Sequence, residues 1–97
     1  MTSVYFIKNT KEHIKIGIAS NLKNRLSSIQ TSNSEKVNYL FHVSLFSKSE
    51  ALHVEKLLHK ALFGKHVRGE WFCCDELDIM LQLRALNLHN QVVIDEV

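Results

Sequence analysis

Residues 13–18, HIKIGI, restrict the fold of this chain more than any other stretch. Ile14, Ile16 and Ile18 alternate with His13, Lys15 and Gly17, the period of a strand with one apolar face. SVYFI, residues 3–7, is short, β-branched and aromatic, and reads as a strand before it. The polar stretch Lys8-Asn9-Thr10-Lys11 between them reads as a turn, so the two strands form an antiparallel hairpin. Tyr5 and Lys15 then fall on one face of that hairpin, opposite the isoleucines.

Ser20 or Asn21 can cap a helix in which Leu22, Leu26 and Ile29 recur with helical spacing. Thr31 to Ser34 ends it. Residues 37–46, VNYLFHVSLF, read as a third strand, central because it is apolar on both faces. Ser47 or Ser49 opens a helix, SEALHVEKLLHKALF, with Gly64 as its stop. A loop from Lys65 to Gly69 leads to Glu70-Trp71-Phe72-Cys73, and Asp75 caps a last helix through about Leu88. The expected architecture is α+β: a small three-stranded antiparallel sheet flanked by helices, in the order β-β-α-β-α-(β)-α. The chain of 97 residues forms a single domain, 1–97.

The last helix carries apolar residues on more than one side: Leu77, Leu81 and Leu88, but also Ile79, Leu83 and Leu86. Either it is covered twice within the domain or it joins two copies as a homodimer. No run of about 18 apolar residues occurs, so no membrane partner is expected. MTSVYFIKN lacks a basic stretch followed by a long apolar run, so no signal peptide is expected. The two cysteines, Cys73 and Cys74, are adjacent and imply no disulfide framework, which fits an intracellular location.

Charge is unevenly spread. Residues 1–74 hold eleven Lys/Arg against five Asp/Glu, a net +6, whereas residues 75–97 hold one Arg against five acids, a net −4. A basic body with an acidic tail is compatible with a polyanionic partner.

Glu55 lies in the middle of an apolar stripe formed by Ala51, Leu52, Leu58, His59 and Leu62. A carboxylate on a core-facing stripe is costly unless it is paired, hydrogen-bonded or bound to a cation. One reading is a salt bridge at the rim of the core with Lys15 or Arg25; the other is a metal ligand. His59, one turn on, either completes an i, i+4 metal pair or fills the helix edge with a hydrogen bond. Arg25 borders the apolar face of its helix. Neither a glycine-rich phosphate loop nor a nucleophile elbow is present, and Cys73-Cys74 is not a zinc motif.

Five segments in order, VYFI, KIG, NRLSSIQTSN, EALHVEKLLHKAL and RGEWF, resemble the GIY-YIG endonuclease superfamily. They look most like its branch found in phage and in meiotically up-regulated proteins, where KIG stands for YIG. The resemblance covers residues 3–72 and leaves the C-terminal helix and acidic tail, 75–97, outside it. It implies a metal-dependent endonuclease that hydrolyses DNA phosphodiesters with one divalent ion, Mg2+ or Mn2+. Tyr5 matches the first-motif tyrosine, a general base or water-positioning group, and Lys15 takes the place of the second-motif tyrosine. Arg25 matches the arginine that binds the scissile phosphate, Glu55 the metal-binding glutamate and Gly17 the glycine that leaves room at the site. His59, Arg68 and Glu70 are neighbours of that site, and Lys11 and Lys23 are expected to bind DNA through its phosphates.

The chemistry suits these roles. Lys15, Arg25 and a cation on Glu55 would stabilise charge growing on the phosphate, and an ammonium beside Tyr5 would favour its phenolate. Ile29 stands where many members carry a histidine, and GEWF replaces a terminal asparagine. No appended DNA-binding module is expected, so specificity is expected to be low or supplied by a separate partner. The alternative reading is a non-catalytic nucleic-acid-binding or regulatory module with the same fold.

Overall fold

The structure is a computed structural model and describes residues 1–94. Strands β1 (Thr2–Lys8) and β2 (Ile14–Ala19) form an antiparallel hairpin with Tyr5 opposite Gly17 and Ile7 opposite Lys15. Asn9 organises its turn: the side-chain oxygen accepts from the backbone N–H of Lys11 at 3.0 Å and of His13 at 2.9 Å. Helix α1 (Leu22–Ser32) starts at Asn21, whose side chain accepts from the N–H of Asn24. Strand β3 (Asn38–Leu45) pairs with the other edge of β1. Of the three long strands, β1 rather than β3 is therefore the middle one.

Helix α2 (Lys48–Ala61) is capped by Ser47 and ends in a 3-10 turn, Phe63–Lys65. Two very short strands follow, β4 (His66–Arg68) and β5 (Trp71–Phe72), joined by a tight turn with Gly69 at φ +53°. Asp75 and Asp78 form a reciprocal capping box at the start of α3 (Glu76–Ala85). Asn87 takes a left-handed φ of 60°, and the N–H of Leu88 returns to the carbonyl of Leu83 at 2.8 Å. This Schellman closure stops the helix short of the expected Leu88. Strand β6 (Val92–Val93) then pairs with β3. Asp95 and Glu96 of the acidic tail lie outside the described residues.

The sheet has six strands in the order β4-β5-β2-β1-β3-β6, all neighbours antiparallel. The α+β class holds, but the expectation of a small three-stranded sheet does not. The loop expected from Lys65 to Gly69 likewise contains β4. The added strands are two or three residues long, too short to show any alternation. They form because the outer edges of β2 and β3 carry backbone groups that need partners.

Helices cover both faces of the sheet. Val4, Phe6, Ile14, Ile16 and Val43 pack beneath α2 (Ala51, Val54, Leu58) and α3 (Ile79, Leu83). On the opposite face, Tyr5, Ile7 and Ala19 pack under α1 through Leu22, Leu26 and Ile29. Leu77 and Leu81 are 65% and 57% exposed, so this side of α3 has no cover among the described residues. The acids of α3 turn back onto the basic body: Glu76 meets Lys8 at 2.6 Å, and Asp78 meets Lys65 at 3.8 Å. Among the described residues, no helix is long and apolar enough to cross a membrane.

Leu58 is fully buried where α2 meets the sheet. Leu58→Ala should cost about 2–5 kcal/mol. Urea unfolding should show this as a lower midpoint with the slope unchanged.

Candidate functional site

The site is built at the place where β5 runs out. Only Ile14 and Lys15 of β2 are paired with β5, opposite Phe72 and Trp71. At the next residue, the N–H of Ile16 donates to the carbonyl of Glu70 at 2.9 Å. The carbonyl of Ile16 is taken not by a strand but by His59, whose Nε2–H donates to it at 2.9 Å. Beyond this point the edge of β2 is open, and the next residue is Gly17.

Gly17 is there for room. A Cβ at this position would collide with the Tyr5 hydroxyl and lie 2.6 Å from the Tyr5 Cζ and 3.0 Å from Glu70 Oε1. The phenol and the carboxylate therefore share the space above the glycine. Lys15 joins them: its Nζ is 3.3 Å from Glu70 Oε1 and 5.6 Å from the centre of the Trp71 ring.

Glu55 reaches this group from the other side. Its helix packs on the face opposite Tyr5 and Lys15, yet the carboxylate meets Glu70 at the open edge and shares a hydrogen bond with it. Its Oε2 is buried and has no hydrogen-bond partner. Burial pushes the Glu55 carboxyl up from its ordinary 4.5 to about 7, helped by the bond to Glu70 and the charge of Glu70; Lys15 and Lys56 pull it down. The expected rim salt bridge is not the arrangement found, since Lys15 is paired with Glu70.

Glu55, His59 and Glu70 each offer a ligand atom, and the three lie within 4.8 Å of one another. With Nε2–H committed to the Ile16 carbonyl, the lone pair of His59 sits on Nδ1. A backbone carbonyl fixing the tautomer in this way is the usual support of a metal-binding histidine. Two carboxylates and an imidazole, one carboxylate oxygen orphaned, suit a divalent cation.

Tyr5 departs from expectation. Burial raises its phenol above the ordinary value, Glu70 adds to that, and Arg25 opposes it. The ammonium of Lys15 is turned to Glu70, so it does not favour a phenolate. At neutral pH the hydroxyl is a proton donor.

The remaining residues lie around this centre. Arg25 is exposed on α1, acts on Tyr5 electrostatically and lines a shallow hollow with Ala19, Asn21 and Ser28. Lys23, also on α1, is exposed. Lys11 and Arg68 are not part of the central group; they line a separate cleft against Trp71. Trp71 was missed by sequence reasoning, although the GEWF segment contains it.

The buried carboxylate has a pH signature. Between pH 4.5 and about 7 the folded protein keeps a proton on Glu55 that the unfolded chain has lost. Stability from this group therefore falls as pH rises through that window. In chelator, Glu55→Gln should gain in Tm relative to wild type from pH 4.5 to about 7. A Tm difference that stays flat with pH would show that the carboxyl titrates normally.

No curated protein and no solved structure matches the chain. The profile of the T5orf172 domain matches residues 2–87, so the chain belongs to the T5orf172 domain family, found in phage and nuclease-related proteins.

Proposed function

We propose that this protein is a metal-dependent DNA endonuclease of the GIY-YIG type. The observation that carries the reading is the convergence of Tyr5, Lys15 and Glu70 at Gly17, with Glu55 against Glu70 and a buried Glu55 oxygen left unpartnered. Family membership supports a nuclease or DNA-binding role.

Glu55, His59 and Glu70 would hold one divalent ion, Mg2+ or Mn2+. Bound there, it would supply Lewis-acid stabilisation of the charge developing on the phosphate. Arg25, exposed beside the site, binds the phosphate from the α1 side. Lys15 stands at the site as a fixed ammonium and offsets charge on the oxygens as water attacks phosphorus and the leaving P–O bond breaks. Tyr5, held neutral by burial, donates a hydrogen bond that orients the attacking water or a phosphate oxygen. Removal of water from the half-buried centre strengthens each of these interactions.

Supercoiled plasmid is the substrate for the test. Wild type should nick it with Mg2+ or Mn2+ and stop in chelator. Glu55→Gln should abolish nicking while folding survives, and Arg25→Ala should slow it by about 100-fold or more. Nicking by Glu55→Gln at the wild-type rate would sink the mechanism. DNA binding with no cleavage under any metal would favour the non-catalytic module.

Affinity should come mainly from phosphates. Binding to duplex DNA should weaken steeply from about 50 to 200 mM salt, and Lys23→Glu should reduce both the affinity and the salt slope. Binding indifferent to salt would count against a phosphate-led interface.

A further inference from the structure

A cleft of about 520 Å³ lies beside the site and takes no part in the chemistry described above. Its walls come from three connections: the β1–β2 turn, the segment between α1 and β3, and the β4–β5 hairpin. Lys11 and Arg68 are exposed on it, and neither has an ion pair among the described residues. Val67, 44% exposed, and Trp71 give it an apolar wall. His13 adds an imidazole. The carboxylate on the lining, Glu35, accepts a hydrogen bond from the Thr10 hydroxyl.

We infer that this cleft binds an unpaired nucleotide of the DNA strand next to the phosphate at Lys15. The inference rests on the nuclease reading for the position of that phosphate. Its chemistry is independent of it. Volumes of about 300–1,000 Å³ are those of small-ligand pockets, and this one has room for a nucleotide. Two unpaired cations suit a phosphate, and an indole wall suits the apolar face of a base.

Trp71 is shared by cleft and site. It lines the cleft and has the Lys15 ammonium 5.6 Å from its ring centre, and its strand neighbour across the hairpin is Arg68. A strand passing from Lys15 into the cleft would meet Trp71 at once. A duplex keeps its bases stacked and presents only their edges, so an indole recessed in a concave wall is reached by a base that has left its stack. The substrates favoured are thus single-stranded, frayed or branched DNA.

Trp71 is the sole tryptophan in the chain, so its fluorescence reports on this wall. The experiment titrates the full chain, in chelator, with a single-stranded dT 12-mer, with a blunt two-stranded duplex of about 12 base pairs and with inorganic phosphate. The expected result is a saturable change with the 12-mer, half-complete at a concentration roughly tenfold or more below that needed for the duplex. Phosphate should give no saturable change in the same range. Lys11→Ala and Arg68→Ala should each weaken the 12-mer by roughly three- to tenfold with Tm unchanged.

Three results would overturn the inference: no saturable response to the 12-mer, equal response to the duplex, or both variants binding as wild type does. The titration contains no metal and reads no cleavage. A protein that binds the 12-mer in this way but never nicks DNA refutes the nuclease reading and leaves the cleft standing. A protein that nicks DNA but shows no preference for the 12-mer does the reverse.

Discussion

Holding the Glu55 carboxylate away from water is the demand on which the rest of the site depends. A buried charge without a partner is costly, and a single surface lysine would have been the simple remedy. The chain does something else. It places a second carboxylate, Glu70, against the first and gives the lysine to the second. Two like-charged groups side by side do not both ionise readily, so Glu55 keeps its proton to a higher pH than a free carboxyl. Each neighbouring feature serves this arrangement. Gly17 leaves the volume, His59 secures the strand edge, and the short β5 brings Glu70 there and goes no further.

Much of this was legible in the residues. The alternation of Ile14, Ile16 and Ile18 specified the first hairpin and put Tyr5 and Lys15 on one face. Ser20 or Asn21, Ser47 or Ser49, and Asp75 marked the three helix starts, because such side chains can accept from a backbone N–H one turn on, and the caps are Asn21, Ser47 and Asp75. Glu55 stood out as a carboxylate among apolar residues. The bracketed strand before the last helix is β5, Trp71–Phe72, but the strands on the two outer edges could not be read. His66–Arg68 and Val92–Val93 have no period of their own, and their pairing is set by edges elsewhere in the sequence. The position of Glu70 was hidden for the same reason. Nothing local says that the residue before Trp71 will lie over Gly17. Nor could the pattern show that a helix on one face would deliver its carboxylate round the edge to groups on the other.

The charge reading changes character in three dimensions. In the sequence it was a basic body followed by acids. In the fold, Glu76 and Asp78 at the start of α3 sit against Lys8 and Lys65, and the positive excess is neutralised locally there. Lys11, Lys23, Arg25 and Arg68 have no such partners among the described residues. The asymmetry that matters to a polyanion is therefore between surfaces of the molecule, not between its two ends.

The β4–β5 hairpin holds to β2 through two paired residues, the Ile16–Glu70 bond and the contacts of Lys15 with Glu70 and Trp71, and it carries Arg68, Glu70 and Trp71. The large apolar clusters lie mostly elsewhere, under α1, α2 and α3, with Phe72 as the hairpin's main anchor in them. Such an element can detach as a local opening at far less than the free energy of global unfolding. That opening would part Glu70 from Glu55 and withdraw Phe72 from the core, while the clusters under α1, α2 and α3 keep their other members. A bulk measure of folding would then be blind to whether Glu70 stands against Glu55.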